Sequence, residues 1–140
     1  MSESYFEFGL PPAGEGAGLC PGPPIPAHLL ERVAERHQQS YPGVYILAAT
    51  LEDHLCLYHR TLNSAWKRDA IEEVLLDPVG PAKGPGYILI CLRIKGGDHP
   101  VPIIDSGFGE QIGLWIEERA KHIADMLRVP YRRLPLGADA

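Results

Sequence analysis

Cysteine is scarce in this chain. Cys20, Cys56 and Cys91 are the only three, and they form no spaced framework. Disulfides therefore do not organise the fold, and the paired C-x-x-C spacing of a structural zinc site is missing. Long hydrophobic runs are absent as well. The strongest, Val44–Ala49 and Tyr87–Leu92, are far too short to cross a bilayer as a helix. Residues 1–10 lack the charged start and apolar run of a secretory signal, which leads to the expectation of a soluble, cytoplasmic protein. Positive charge is also in short supply. The formal net charge is −5 and the pI about 5.6, which argues against a general binder of nucleic acid or anionic membrane. Asparagine occurs once and threonine rarely, as genome composition or a warm habitat would each produce.

Apolar residues, proline and glycine are plentiful. Hydrophobic residues make up 45% of the chain, enough for a real core, and 140 residues suit one domain. Residues 1–26 form a Pro/Gly-rich arm, with PPAGEGAG followed by PGPPIP, where no regular element fits. Tyr5, Phe6, Phe8 and Leu10 make this arm too apolar for a free tail. The composition alone is that of a flexible tail, while the apolar residues point to an arm that covers an edge of the domain or binds a partner. Residues 27–140 are expected to be a single α+β domain.

Periodicity outlines that domain. Pro26 to Gln39 reads as a helix with Leu29, Leu30, Val33, Ala34 and His37 on one face. Ser40–Gly43 supplies a turn, and Val44–Thr50 and His54–Arg60 read as strands. Residues 64–77 fit either a helix or strand, tight turn, strand, as Ala65–Ile71 and Val74–Asp77. Pro78 to Gly86 reads as an unpaired loop. Tyr87–Ile94 alternates cleanly, with Ile88, Ile90, Leu92 and Ile94 pointing one way. Lys95-Gly96-Gly97-Asp98 is a hairpin turn, and His99–Ile104 is the return strand. Pro100 and Pro102 cannot donate ladder hydrogen bonds, so this strand is expected at an edge. Gly107–Arg128 is a long amphipathic helix, with Phe108, Ile112, Trp115, Ile116, Ile123, Ala124 and Leu127 on its stripe and Pro130 as its stop. Trp115 is expected in the core, a Glu117–Lys121 pair on the outer face, and Asp105 or Ser106 as the N-terminal cap.

Several constellations bear on chemistry. His54, Cys56 and His59 are metal-ligand types, but on a strand His59 points away from the other two. No metal or cofactor is expected. Asp53, His99 and Asp105 lie at turns and strand ends, where acid–base groups can meet, and would serve a small hydrolase or nuclease. Ser106 precedes a glycine and a helix but lacks the G-x-S-x-G setting of a nucleophile. The glycines at 96–97 and 107–109 match no phosphate-binding fingerprint. Lys67, Arg68, Arg93, Lys95, Arg132 and Arg133 are candidates for a small basic patch.

Three segments carry a family resemblance. WKRDAIEEVLL at 66–76, YILICLRIKGGDHPVPI at 87–103 and IADMLRVPYRR at 123–133 together resemble the pleckstrin-homology-like (PH-like) domains of bacteria. The likeness spans about residues 44–133. It implies an antiparallel sheet closed by the C-terminal helix, with 64–77 as strand, turn and strand, and it implies no catalytic motif. Many such domains are cytoplasmic parts of membrane proteins, whereas this chain has no membrane span. A helical 64–77 would instead give a roadblock- or longin-like order. Both orders imply a non-enzymatic interaction, scaffolding or regulatory module. Its partner would be a protein, or a second copy in a homodimer, met through Tyr5, Phe6, Phe8 and Leu10 of the arm and through His99, Val101 and Ile103 of the edge strand.

Overall fold

Apolar side chains alternate along most strands of this protein, and the alternation creates two separate cores. The computed structural model describes residues 3–12, 15–40, 46–81 and 84–137. Among them the elements are β1 (Ser4–Glu7), β2 (Ala17–Leu19), α1 (Ala27–Gln39), β3 (Leu47–Leu51), β4 (His54–His59), β5 (Leu62–Lys67), a 3-10 turn (Arg68–Ala70), β6 (Ile71–Val79), β7 (Tyr87–Ile94), β8 (Val101–Gly107), α2 (Glu110–Leu127) and β9 (Tyr131–Arg133). The class is α+β, with two α-helices and nine strands among the described residues.

The strands form two sheets, ordered β1-β3-β4-β5 and β2-β8-β7-β6-β9. All neighbours are antiparallel except β6 and β9. Along β3 and the residue before it, Ile46 and Ala48 face one way and Leu47, Ala49 and Leu51 the other, and all are buried. The first face joins Leu55, Leu57, Val74, Leu76, Ile88, Ile90, Leu92, Ile103 and Ile104 in the main core. Helix α2 seals this core with Ile116, Ala120, Ile123, Ala124 and Leu127. The second face packs with Cys56 and Ala65 under Ile25, Leu29 and Val33 of the α1 region. Each fully buried aliphatic side chain contributes about 1.5–3 kcal/mol relative to exposure. A strand apolar on both faces therefore sits where two layers meet.

Several expectations need correction. The arm carries regular structure where none was expected, and it docks as one reading had it, with β1 added to the edge of the first sheet and β2 to the edge of the second. Phe8, Ala17, Leu19 and Ile25 are buried. Residues 64–77 are not helical, so the roadblock- or longin-like order does not form. The break falls at Arg68–Ala70, earlier than the expected turn. β6 runs through Pro78 to Val79, so the unpaired loop starts later than expected.

The return strand is not an edge, since β8 lies between β7 and β2. Pro102 sits beside a bulge in its own strand, where the β7–β8 register shifts between Ile90 and Cys91 and leaves Ile103 as the extra residue. β2 pairs only with Ile104–Ser106, beyond both prolines.

Helix α2 begins at Glu110, behind Gly109, and no side chain caps it. Asp105 and Ser106 belong to β8 instead. Phe108 precedes the helix and is exposed. Trp115 is only partly buried, between the Phe8 ring at 5.9 Å and the Arg119 guanidinium at 4.4 Å. Glu117 makes its hydrogen bonds to Tyr131 and Arg133, while Lys121 acts on it through its charge alone. Of the expected Ser40–Gly43 turn and Val44–Thr50 strand, residues 41–45 lie outside the described residues, as do residues 82–83 of the expected loop.

Candidate interaction groove

Exposed apolar surface concentrates at one end of α2. Phe108, Leu114 and Leu136 are 37%, 64% and 64% exposed, and all three line one groove of about 350 Å³. Leu76 and Pro78 of β6 and Ile88 of β7 also line it. One wall is the start of α2, through Gly109, Glu110, Gly113 and Leu114. The other is the C-terminal segment, through Arg133 and Leu136.

Local chemistry fixes each wall. Gly113 has no side chain, and a β-carbon there would stand 3.5 Å from Ile88 Cδ1. The bare position keeps the helix wall low. Phe108 is seated against Gly86, where a β-carbon would come within 2.9 Å of Phe108 Cβ. Backbone bonds run from Leu134 N–H to Leu76 O at 2.8 Å and from Gly137 N–H to Pro78 O at 3.0 Å, holding the C-terminal segment along β6. Arg133 Nη1 donates to Glu117 at 3.4 Å and ties this wall to α2.

The residues singled out in the sequence are scattered. Asp53 sits in the β3–β4 turn, Asp105 on β8, and His99 exposed in the β7–β8 connection. No hydrogen bond or ion pair joins any two of them among the described residues. Asp53 instead meets Lys67 Nζ at 3.2 Å and lies 2.9 Å from His54 Nδ1. The Lys67 hydrogen bond holds its carboxyl below the usual carboxylate range. A shallow cavity beside it is lined by Pro23, Pro24, Pro26, His54, Ala65, Trp66, Lys67, Ala70 and Ile94. Burial pushes the thiols up, Cys20 to about 11 and both Cys56 and Cys91 to about 12. They are protonated at neutral pH and poor nucleophiles. Among the described residues no group of three His, Cys, Asp or Glu side chains could hold a metal ion.

The basic residues do not converge on an open patch. Arg93 and Arg132 both bind Glu73, Arg133 binds Glu117, and Lys67 binds Asp53. Arg68 donates to the Met126 carbonyl. Of the expected partner-binding residues, Phe8 and Ile103 are fully buried, Tyr5, Phe6 and Val101 are partly buried, and His99 and Leu10 are exposed. Phe6 stacks on His122 at 3.7 Å and Tyr5 lies under Arg36 at 4.6 Å. The groove residues were missed because Leu114 lies off the apolar stripe and Leu136 follows the last helix. The available signal was Leu114 itself, a large apolar residue on an otherwise polar face.

The chain matches no family model, no curated protein and no solved structure. Among the described residues no helix is long and apolar enough to cross a membrane.

Proposed function

We propose that the protein is a non-enzymatic interaction or scaffolding module that takes an apolar segment of a partner protein into the groove beside α2. The convergence of Phe108, Leu114 and Leu136 on one concave surface carries this reading. Exposed apolar side chains scattered singly are ordinary, but three lining one concavity are characteristic of a contact site. The arm's aromatic side chains serve the domain's own packing, whereas Phe108, Leu114 and Leu136 stay open to a partner. The PH-like resemblance and a cytoplasmic location belong to the same reading. The separation of Asp53, His99 and Asp105 favours contact over hydrolysis.

The test compares three forms of the tagged full chain in its native host. They are the wild type, a Leu114→Asp/Leu136→Asp variant, and an Asp53→Asn/His99→Ala/Asp105→Asn variant. Co-purifying proteins are quantified by mass spectrometry, and folding is checked by circular dichroism. A partner captured by the wild type and the triple variant but lost from the folded groove variant is the expected result. Partner capture indifferent to the groove substitutions would sink the proposal. A biological activity abolished by the folded triple variant alone would replace it with the enzyme reading.

A further inference from the structure

The outer edge of β1 is the second surface with a definite chemistry. β1 pairs with β3 in the register Ser4↔Thr50, Phe6↔Ala48 and Glu7↔Leu47, and Phe8 N–H donates to Ile46 O at 2.9 Å. In an antiparallel ladder the residues facing a neighbour alternate. Ser4, Phe6 and Phe8 therefore direct their N–H and C=O groups to β3. Tyr5 and Glu7 direct theirs outward, where no strand pairs with β1 among the described residues.

The side chains around this edge are self-complementary. Tyr5 and Glu7 share the face that α1 covers. Arg36 of α1 lies over the Tyr5 ring, and Ser40 Oγ donates to Glu7 at 2.6 Å. Arg36 has no carboxylate partner among the described residues. Place a two-fold axis at Phe6 against a second antiparallel β1. Tyr5 of each copy then faces Glu7 of the other, and both pairs exchange the outward N–H and C=O groups. Each Glu7 carboxylate approaches the Tyr5–Arg36 pair of the other copy, so opposite charges meet on both sides of the axis. Phe6 faces its own equivalent on the opposite side of the sheet.

We propose that this edge is a homodimer interface, in which two β1 strands pair antiparallel about Phe6 and join the two four-stranded sheets into one of eight strands. The interface is independent of the groove. Strand addition at an exposed edge takes its affinity from main-chain hydrogen bonds and its register from the side chains. Here the Arg36–Glu7 pairing sets the register and disfavours slipped alternatives.

The experiment is sedimentation equilibrium on the full chain over a wide concentration range. Four variants are compared with the wild type: Glu7→Arg, Arg36→Glu, the double charge swap, and Glu7→Pro. The wild type should show a reversible monomer–dimer equilibrium. Each single reversal should raise its dissociation constant about tenfold or more, and the swap should recover most of that loss. Glu7→Pro should yield a folded monomer, because it removes an N–H that serves only the outer edge. A wild type that stays monomeric throughout, or a dimer unmoved by the charge reversals, would overturn the proposal. If Glu7→Pro fails to fold, the reversal and rescue pattern decides alone.

Discussion

Arg119, on α2, donates two hydrogen bonds to the carbonyl of Phe8, from Nε at 3.1 Å and from Nη2 at 3.0 Å. The two residues stand 111 positions apart in the chain. The same guanidinium lies 4.4 Å from the Trp115 ring centroid, and that ring meets Phe8 edge-on. One mostly buried cation thus locks the N-terminal strand onto the C-terminal helix. It does so at the carbonyl just beyond the end of β1.

This lock predicts a specific loss. Arg119→Ala should lower the unfolding free energy by about 2–3 kcal/mol, since bonds from a charged donor are the stronger kind and the carbonyl is left without its donor. Arg119→Lys should recover only part, because an ammonium cannot reproduce the two-pronged approach. Urea denaturation measures both, and hydrogen exchange should show lost protection in residues 4–8. A change below about 0.5 kcal/mol would mean that the arm is held by Phe8 packing alone. Deleting residues 1–26 should unfold the protein rather than free a tail, since Phe8, Ala17, Leu19 and Ile25 are core.

The regular elements with strong periods were legible in the sequence. Tyr87–Ile94 appears with the expected bounds, and α1 differs only in that Pro26 serves as its cap. Their patterns need no information from elsewhere in the chain. β1 and β2 were hidden because their strand character comes from neighbours. Ala-Gly-Leu has little intrinsic strand preference and is a strand here because Ile104–Ser106 offers it a ladder. The two prolines near β8 misled for a related reason. A proline excludes a hydrogen bond at one atom, and the ladder is already irregular at the bulge beside Pro102. Pairing of distant segments is a property of the folded chain and leaves no local signal.

β9 is held by two carboxylates, and this predicts a pH profile. The Tyr131 hydroxyl donates to Glu117 at 2.6 Å, and this bond, helped by Arg133 and Lys121, holds the Glu117 carboxyl below its ordinary value of 4.5. Arg132 and then Arg93 do the same for Glu73. For both groups the unfolded chain binds protons first as the pH falls. Their contribution is therefore complete above about pH 4.5 and is lost as pH drops through the lowered folded values. At the alkaline end, burial and then the Glu117 bond raise Tyr131 above its ordinary value of 10. That contribution is present below pH 10 and fades above it. Glu73→Gln/Glu117→Gln should flatten the acid limb of a stability-versus-pH curve, and Tyr131→Phe the alkaline limb. Limbs of unchanged slope would show that these bonds do not persist in solution.

Two glycines with left-handed backbone separate strain from contact. Gly86 has φ +80°, and a β-carbon there would come within 2.9 Å of both Phe108 Cβ and Val79 O. Gly96 has φ +77° with nothing within 4 Å of that position. Gly96→Ala should cost only the left-handed penalty of about 1–2 kcal/mol. Gly86→Ala adds a clash with backbone and should cost at least about 2 kcal/mol more, a typical overpacking penalty. Thermal unfolding of the two variants gives the difference directly. Equal losses would show that the chain around Phe108 yields freely.

The groove was less legible than the fold. Phe108, which helps form its wall, reads in sequence as the first residue of a buried stripe, because it keeps the period of Ile112 and Ile116. The helix starts two residues after it, so its side chain leaves the stripe and faces solvent at the groove. A helix boundary off by one turn is enough to turn a core residue into a surface one.

Gly113 joins stability to the proposed function. It is the fourth residue of α2, and inside a helix glycine is about 0.8–1 kcal/mol less favourable than alanine. A methyl group would rest at ordinary contact distance from Ile88 Cδ1, 3.5 Å away, so nothing must move to admit it. Gly113→Ala should therefore raise stability by roughly 0.5–1 kcal/mol, measurable as a higher denaturation midpoint at unchanged slope. The same methyl projects into the groove between α2 and β7, and a larger side chain would fill more of it. Gly113→Leu should remain folded but lose the partner that the wild type captures. If Gly113→Ala is stabilising and Gly113→Leu still binds, glycine at this position is unrelated to the groove, and the contact must lie elsewhere on the molecule.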